Sequence, residues 1–365
     1  MELREVRGNG EWKVEIVEGN RSVSQLWIID RSMRIGSCPV KTGGIGGVGT
    51  DREYRMQGLA KRVLKGAVEL MQREGYDASF LYGIQDFYHR FGYVTCMPER
   101  RLYVDTRAAE RAEKRGKMRR VKKTDWPQIV RIYNRDNDRR TASVVRAPRT
   151  WDRFPMGSQF GVKAEVWVAV DDRDRIKGYI AVDDVEHRVR AAELGGEGED
   201  LFHSLLQFLA SRAVKLRRQE LSLSIPVDHP FALFCRNFGC RESTHFGRNG
   251  GPMGRIINLN SLLEKILPEL GERWGYGDRE VGVSFATDLG NYSLNWKGGK
   301  LTLAEGGEGC RVRLRQEALM LLLMGYRTPS DLLAEGEIKV GRRVLPLLER
   351  LFPLQQAHMW WPDRF

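Results

Sequence analysis

Apolar and polar residues alternate along the first part of the chain, and the spacing then becomes helical. Apolar residues at strand spacing predict strands over 12–17 and 24–29. After Gly58 the apolar residues share one helical face, and further strands are predicted over 78–82 and 101–104. Strands on both sides of a helix, in this order, indicate a mixed α/β sheet.

The same order of elements recurs in the second part of the chain. A long helix and four strands are predicted, the helix over about 200–217 and the strands over 166–170, 179–182, 188–194 and 221–225. A short pattern also repeats, because Phe87-x-x-x-Phe91-Gly92 matches Phe234-x-x-x-Phe238-Gly239. We therefore infer two copies of one fold, joined by a charged connector over 107–123 that we predict to be helical.

The last part of the chain has a different pattern, in which strands are framed by helices. The helices are predicted over 259–274, 317–324 and 345–351, and the strands over 281–285, 292–296, 300–303 and 311–314. The predicted domains are therefore 1–106, 107–257 and 258–365.

Composition narrows the class of protein. The five cysteines lack the spacing of a zinc site or a disulfide framework, so no metal is expected. The start lacks the apolar core of a signal peptide, and the most apolar run, 318–324, is too short to cross a bilayer. We therefore expect a cytoplasmic protein without a membrane partner. The net charge of +12 attracts anions, which leaves phosphate-rich ligands and, less favoured, nucleic acid as candidates.

Two glycine signatures compete within residues 43–64. Gly44-x-Gly46-x-x-Gly49 fits a dinucleotide fingerprint, but no apolar strand precedes it directly and the helical spacing starts only at Leu59. Arg55-x-x-Gly58-x-Ala60 has the better context, between a strand and the first turn of a helix, where free backbone N–H groups and the helix dipole favour an anion. The glycines before it would let a ligand approach the strand closely.

The segment 48–61, followed by Tyr88-His-Arg-Phe-Gly-Tyr93, resembles the Gcn5-related N-acetyltransferases. More narrowly, it is similar to the enhanced-intracellular-survival type, in which two acetyltransferase folds precede a domain like sterol carrier protein type 2. The resemblance covers nearly the whole chain. It implies α/β units with mixed α+β sheets, arranged as two tandem acetyltransferase folds and a sterol-carrier-like α+β domain.

The resemblance also implies a site, with acetyl-CoA as the acetyl donor. Tyr93 would be the proton donor, and the carboxylate of Phe365 would act as base on a primary amine of an aminoglycoside-like small molecule or of lysine. Family members form trimers paired into hexamers, so a homo-oligomer is expected. The residues implied to bind the cofactor are Val48, Gly49, Thr50, Arg55, Met56, Gln57, Gly58, Leu59, Ala60, Lys61, Tyr88 and His89.

Two departures from the family pattern bear on function. The opening helical part of the first domain is missing, so either the acceptor site is more open or the protein has residues upstream of the printed start. The second copy has four carboxylates and no arginine in residues 193–200, and Cys240 at the tyrosine position, so we expect it to bind no cofactor. The alternatives are a lipid- or sterol-binding carrier with vestigial acetyltransferase units, and a nucleic-acid-binding protein.

Overall fold

The computed structural model describes residues 1–148, 151, 154, 156–275, 281–306 and 310–365. Helices and three mixed sheets, each with a parallel strand pair, form three units, which confirms the mixed α+β class. Among the described residues, no helix is both long and apolar enough to cross a membrane.

The first unit consists of a twisted sheet with one long helix on one face. Its elements are β1 (Glu2–Arg7), β2 (Glu11–Glu18), β3 (Arg21–Ile35), β4 (Cys38–Thr50), α1 (Leu59–Arg73), β5 (Ala78–Gly83) and β6 (Val94–Thr95). β4 precedes α1 in the chain and β5 follows it, and the two strands pair in parallel. Val63, Ala67 and Met71 of α1 are buried on the sheet, as their helical spacing predicts.

The second unit repeats this plan. Its elements are β7 (Glu99–Asp105), α2 (Thr106–Ala109), β8 (Lys117–Arg120), α3 (Trp126–Asp136), β9 (Glu165–Val170), β10 (Ile176–Val185), β11 (Arg188–Gly196), α4 (Glu199–Lys215), β12 (Glu220–Leu223), α5 (Pro230–Cys235), β13 (Arg241–His245) and β14 (Gly251–Ile256). β11 and β12, which precede and follow α4 in the chain, pair in parallel, as β4 and β5 do before and after α1. Gly92 and Gly239 end the two matching short helical segments with positive φ values of 74° and 79°. The repeat read from the sequence is therefore confirmed.

The helix predicted for the connector 107–123 is wrong. Asp105 caps α2 through the amides of Arg107 and Ala108, but this helix ends after one turn. The chain then forms β8, which pairs antiparallel with β9 at the edge of the second sheet. Pairing with an available edge outweighs the helical preference of a charged segment that is interrupted by Gly116.

The first and second units exchange strands. The first sheet has the order β1-β2-β3-β4-β5-β14-β6, and the second has β13-β7-β12-β11-β10-β9-β8. The strand predicted at 101–104 thus lies in the second sheet, while β14 crosses back and lies between β5 and β6. The sheets therefore do not follow the predicted boundaries after residues 106 and 257.

The third unit packs on the face of the first sheet opposite α1. Its elements are α6 (Leu259–Trp274), β15 (Val281–Thr287), β16 (Gly290–Lys297), β17 (Lys300–Glu305), β18 (Cys310–Leu314), α7 (Gln316–Leu323), α8 (Pro329–Ala334), β19 (Ile338–Lys339) and α9 (Leu345–Leu351). One apolar core contains residues of α6 and α7 together with Val40 of β4 and Phe80 of β5. The third unit therefore shares its core with the first unit.

Residues 353–365, here called the tail, connect all three units. Met359 belongs to the core shared by the first and third units, and Trp360 belongs to the core of the second unit. The indole of Trp360 donates to Asn137 at 2.8 Å and lies edge-on to the rings of His358 and His229. Both histidines are buried, and burial is the main cause that lowers their pKa values, to about 4 for His229.

We predict that a fragment of residues 1–106 does not fold alone. The fragment lacks β14, which pairs with both β5 and β6, and it leaves β7 without a partner. Circular dichroism should show no cooperative unfolding transition for this fragment. Coexpression with 107–365 should instead give a stable complex, because each fragment supplies the strand that the other lacks. A cooperative transition of 1–106 by itself would contradict this account of the exchange.

Acid should destabilise the protein partly through His229. Its pKa is about 4 when folded and 6.5 when free, so the unfolded state binds the proton more readily and stability is lost as pH falls below 6.5. His229→Asn keeps an acceptor for the Phe231 amide at the start of α5. In urea titrations, the loss of unfolding free energy from pH 7 to pH 5 should be about 2 kcal/mol smaller in the variant. An equal loss of unfolding free energy in the unmodified protein and the variant would show that His229 does not contribute to the destabilisation by acid.

Candidate active site

Two neighbouring strands of the first sheet, β4 and β5, separate part-way along their length and leave a V-shaped opening, here called the wedge. β4 and β5 pair only from Thr42↔Ala78 to Ile45↔Leu81, after which β4 follows β3 and β5 follows β14. The side of residues 46–50 that faces β5 therefore has no strand partner. Val48, Gly49 and Thr50, predicted to bind the cofactor, lie on this open edge. The wedge offers backbone groups that an extended ligand with amides can pair with.

The chain turns from the end of β4 into the N-terminus of α1. Met56 and Gly58 have positive φ values of 63° and 75°, which turn the chain sharply into the helix. No side chain caps the helix and no acidic residue lies in its first turn, where Leu59, Ala60 and Lys61 present their amides. Free amides and the helix dipole make this end suited to an anion. The other predicted residues, Arg55 and Gln57, lie in the same turn and are exposed.

The matching helix end in the second unit has the opposite charge. Glu199 and Asp200 occupy the first turn of α4 and line a cleft of about 520 Å³ with Arg115 and Lys177. Arg115 is already paired with both acids, at 3.2 and 3.0 Å. Carboxylates at this position repel a diphosphate, so the second unit remains predicted to bind no cofactor.

The two tyrosines of the Tyr88–Tyr93 motif have different surroundings. The Tyr93 hydroxyl is buried and bonded to Ser79 at 2.8 Å, and burial raises the pKa of Tyr93 to about 12. Ser79 pairs with Gly43, which lies where β4 and β5 are still joined. Tyr88 packs against Gly83, beyond the end of that pairing, and its hydroxyl has no hydrogen-bond partner among the described residues. Tyr88 therefore flanks the open wedge, whereas Tyr93 lies behind its closed end.

His89 lies beside Tyr88 in the short helical segment Tyr88–Phe91. Its Nδ1 is buried and has no partner among the described residues. His89 also lines a cleft of about 500 Å³ between α1 and the third unit, together with Lys65 and Arg90. The two cofactor-binding residues predicted in this segment are therefore brought near α1.

The tail delivers Phe365 to the other face of the wedge strand. A Cβ added to Gly44 would overlap the Phe365 ring, so only glycine fits beneath it. The carboxylate carbon of Phe365 lies 3.4 Å from the position that a Cβ would take on Gly46. Gly46 is the first residue beyond the β4–β5 pairing, so the carboxylate lies at the apex of the wedge. Among the described residues, this carboxylate has no hydrogen bond or ion pair.

Sequence reasoning missed the residues that hold the tail in place. Arg146 is buried between Glu193 of β11 and Asp363 of the tail and pairs with both. The sequence shows Glu193 only as one of the four carboxylates in residues 193–200. Nothing in the local sequence around Arg146 indicates that Arg146 binds the tail. The carboxylate of Phe365 and the wedge residues are brought together, whereas Tyr93 is separated from them by Ser79 and the closed end of the wedge.

Comparison with known proteins by sequence gives one match. A sequence model described as an acetyltransferase (GNAT) domain matches residues 4–96, which is the first unit through β6. None of the curated proteins compared with the chain matches it.

Several solved structures share the fold over nearly the whole chain. A probable N-acyltransferase from Enterococcus faecalis V583 is 16% identical with a TM-score of 0.79, and the alignment covers 98% of this chain and 89% of that one. A GCN5-related N-acetyltransferase from Anabaena variabilis ATCC 29413 is 18% identical with a TM-score of 0.77, covering 98% and 90%. Eis1 from Mycobacterium abscessus is 15% identical with a TM-score of 0.65, covering 97% and 90%.

At these identities the likeness shows the fold, and it is consistent with tandem acetyltransferase folds. The likeness of the third unit to sterol carrier proteins stays a prediction. Residues 4–96 match the sequence model of an acetyltransferase (GNAT) domain, and the solved structures share the fold over nearly the whole chain.

Proposed function

We propose that the protein transfers an acetyl group from acetyl-CoA to a primary amine, with the reaction at the apex of the wedge in the first unit. The observation that carries the proposal is the juxtaposition at β4. An uncapped helix N-terminus follows this strand, and the Phe365 carboxylate, which has no ion-pair partner in the described part of the chain, lies against one face of the strand. The first feature suits a diphosphate, and the second suits an ammonium group.

The chain's own groups fit acetyl-CoA. The amides of residues 56–61 would hold the diphosphate, and the open edge of Val48–Thr50 would pair with the amides of the pantetheine arm. Bound in this way, acetyl-CoA supplies an activated thioester. The backbone N–H of Val48 or a neighbour would stabilise the oxygen of that thioester as it gains charge.

The Phe365 carboxylate orients the amine and does not deprotonate its ammonium form. A free α-carboxyl has a pKa near ~3.5 and an alkyl ammonium near ~10.4. Direct transfer is therefore uphill by about 7 pKa units, or roughly 9 kcal/mol. The carboxylate holds the amine at the apex of the wedge, and the nitrogen that attacks belongs to the small fraction of amine that is already neutral in solution. Once the new C–N bond has formed, the nitrogen becomes acidic and its proton passes to the carboxylate and on to solvent.

Tyr88 is better placed than Tyr93 to return a proton to the departing thiolate. Burial raises the pKa of both phenols, to about 12 for Tyr93. The distinction therefore rests on position, because the Tyr93 hydroxyl is bonded to Ser79, whereas the Tyr88 hydroxyl has no hydrogen-bond partner among the described residues and lies beside the open wedge. Tyr93 keeps a supporting role because it packs edge-on against Tyr88, at 6.4 Å between ring centres.

The alternative function, a lipid carrier, has less support. The apolar residues of α6 and α7 pack against the first sheet, so much of the third unit's apolar surface serves as a scaffold for that sheet. The acceptor, whether a small aminoglycoside-like amine or lysine, and the assembly into trimers or hexamers remain parts of the proposal. Neither is read from the site itself.

Adding two glycines after Phe365 should abolish turnover and preserve acetyl-CoA binding. The extension moves the carboxylate away from Gly46 and leaves residues 48–61 unchanged. Calorimetry should give an acetyl-CoA Kd within about twofold of the original, while kcat with a panel of amines falls at least about 100-fold. Two glycines added before Met1 are the control. No heat with acetyl-CoA in the unmodified protein would end the enzymatic proposal, and unchanged turnover after the extension would end the role of Phe365.

The two tyrosines should separate by their kinetic effects. Tyr88→Phe should lower kcat by about 100-fold without changing acetyl-CoA affinity, because it removes the proton donor. Tyr93→Phe should cost about 1 kcal/mol of unfolding free energy by breaking the bond to Ser79, with a smaller change in kcat. Steady-state assays corrected for acetyl-CoA hydrolysis, with urea titrations beside them, measure both quantities. The reverse order of kcat effects would make Tyr93 the donor.

A further inference from the structure

A buried ion cluster joins the second unit to the tail. The guanidinium of Arg146 donates to Glu193 at 2.6 and 2.5 Å and to Asp363 at 3.0 and 2.9 Å. The side chains of all three residues, here called the anchor cluster, have no exposed surface. Tyr179 donates to Glu193 at 2.6 Å, and Tyr133 donates to Asp363 at 2.9 Å. One guanidinium thus binds two carboxylates from distant parts of the chain.

Arg146 is itself fixed by both acetyltransferase-like units. Its backbone N–H donates to the side chain of Asn134 at 3.1 Å, and its carbonyl accepts from the same side chain at 2.7 Å. The amide of Val145 donates to the carbonyl of Ser32 on β3 at 2.7 Å. The guanidinium also lies 3.5 Å from the centre of the Tyr133 ring. Its position is therefore set relative to the second unit and to β3 of the first.

The chain has little freedom between Asp363 and the carboxylate at its end. The guanidinium of Arg364 donates to Glu99 at 2.9 Å and lies over the rings of Trp361 and Tyr82, at 3.8 and 4.4 Å. The Phe365 ring lies over Gly44, where no side chain could be accommodated. An anchor at Asp363 thus determines where the Phe365 carboxylate lies.

The anchor cluster lies where the second unit's own wedge opens. The pairing of β11 with β12 ends at Ala191↔Leu223, and Glu193 follows two residues later. The same place in the first unit is Gly47, within the open edge of β4. The tail segment Trp361–Asp363 contacts β11. The strand position that lies on the open edge in the first copy therefore carries, in the second copy, the carboxylate that holds Arg146.

We propose that the second unit is a positioning device: Arg146, held by Glu193, binds Asp363 and thereby fixes the Phe365 carboxylate at the apex of the first unit's wedge. Arg146 and Asp363 are positioning residues, since they act through Phe365. The anchoring is independent of the reaction, whereas its catalytic consequence rests on the proposed function.

Carboxypeptidase A tests the anchoring without any assay of turnover, because it removes a C-terminal phenylalanine and does not remove arginine. Digestion of the full chain followed by mass spectrometry therefore measures how often Phe365 leaves its site. Asp363→Asn should release Phe365 about tenfold faster, and the milder Tyr133→Phe a few-fold faster, because each weakens the hold on the tail. Asp125→Asn is the matched control. It disrupts another Arg–Asp pair of the second unit, Arg119–Asp125 at 2.6 Å, and leaves the tail untouched.

The outcomes separate this proposal from the proposed function. Faster release in Asp363→Asn and Tyr133→Phe, with the control unchanged, supports the anchoring whether or not the protein turns over amines. Equal release rates in the unmodified protein, Asp363→Asn and Tyr133→Phe overturn it, when Gly44→Ala, which displaces the Phe365 ring directly, releases Phe365 faster and so shows that the assay detects a freed tail. In kinetics, Asp363→Asn should lower kcat about tenfold with unchanged acetyl-CoA Kd. A fall in kcat with normal Phe365 protection would also overturn the proposal.

Discussion

The buried contact between Arg146 and its two carboxylates is the constraint on which the placement of the tail depends. A guanidinium without exposed surface is tolerable only when its charge is paired and its donors are used, and both carboxylates are needed for that. Removing one partner from such a cluster typically costs roughly 3–5 kcal/mol, because a charge is left buried and unpaired. Since one carboxylate lies on β11 and the other on the tail, undocking the tail would incur a penalty of that kind.

Strand exchange makes the rest of the molecule equally interdependent. β7, which falls within the predicted first domain 1–106, lies between β12 and β13 of the second sheet, and β14 lies between β5 and β6 of the first sheet. The third unit adds a shared core, since Phe80 of β5 packs with residues of α6 and α7. The three units are therefore joined by exchanged strands and by a shared core. β4, the strand against which the candidate site is built, belongs to the first sheet and contributes Val40 to that core.

The long helices and many of the strands could be predicted from the sequence, whereas β1, α3 and β14 were missed and the pairing partners of the strands could not be predicted. The helical spacing of apolar residues in α1, α4 and α6 is clear because each helix buries one apolar face. The glycines of β4 were attributed to a ligand, but the structure assigns them several roles. A side chain at Gly43 would meet Met71 of α1, one at Gly44 would meet Phe365, and one at Gly47 would meet Trp27. Only Gly49 has no other residue's side chain close to it. Exchanged strands and buried ion pairs join residues that are far apart in the chain, so no local pattern records them.

Residues from outside the first unit complete the surroundings of its strands. β1 and β2 are joined by residues 8–10 alone. Residues 142–145 of the second unit run along β3, with Met33 bridged to Val144 and the amide of Arg34 bonded to the carbonyl of Ser143 at 2.9 Å. The tail places Phe365 against Gly44 and Gly46 of β4. Under the proposed function, the acetyl donor would be held by backbone amides within 4–96, the segment that matches the acetyltransferase domain, whereas the Phe365 carboxylate reaches the site from outside that segment. The local sequence of 4–96 can therefore indicate a donor, but it does not contain the group that would hold an amine.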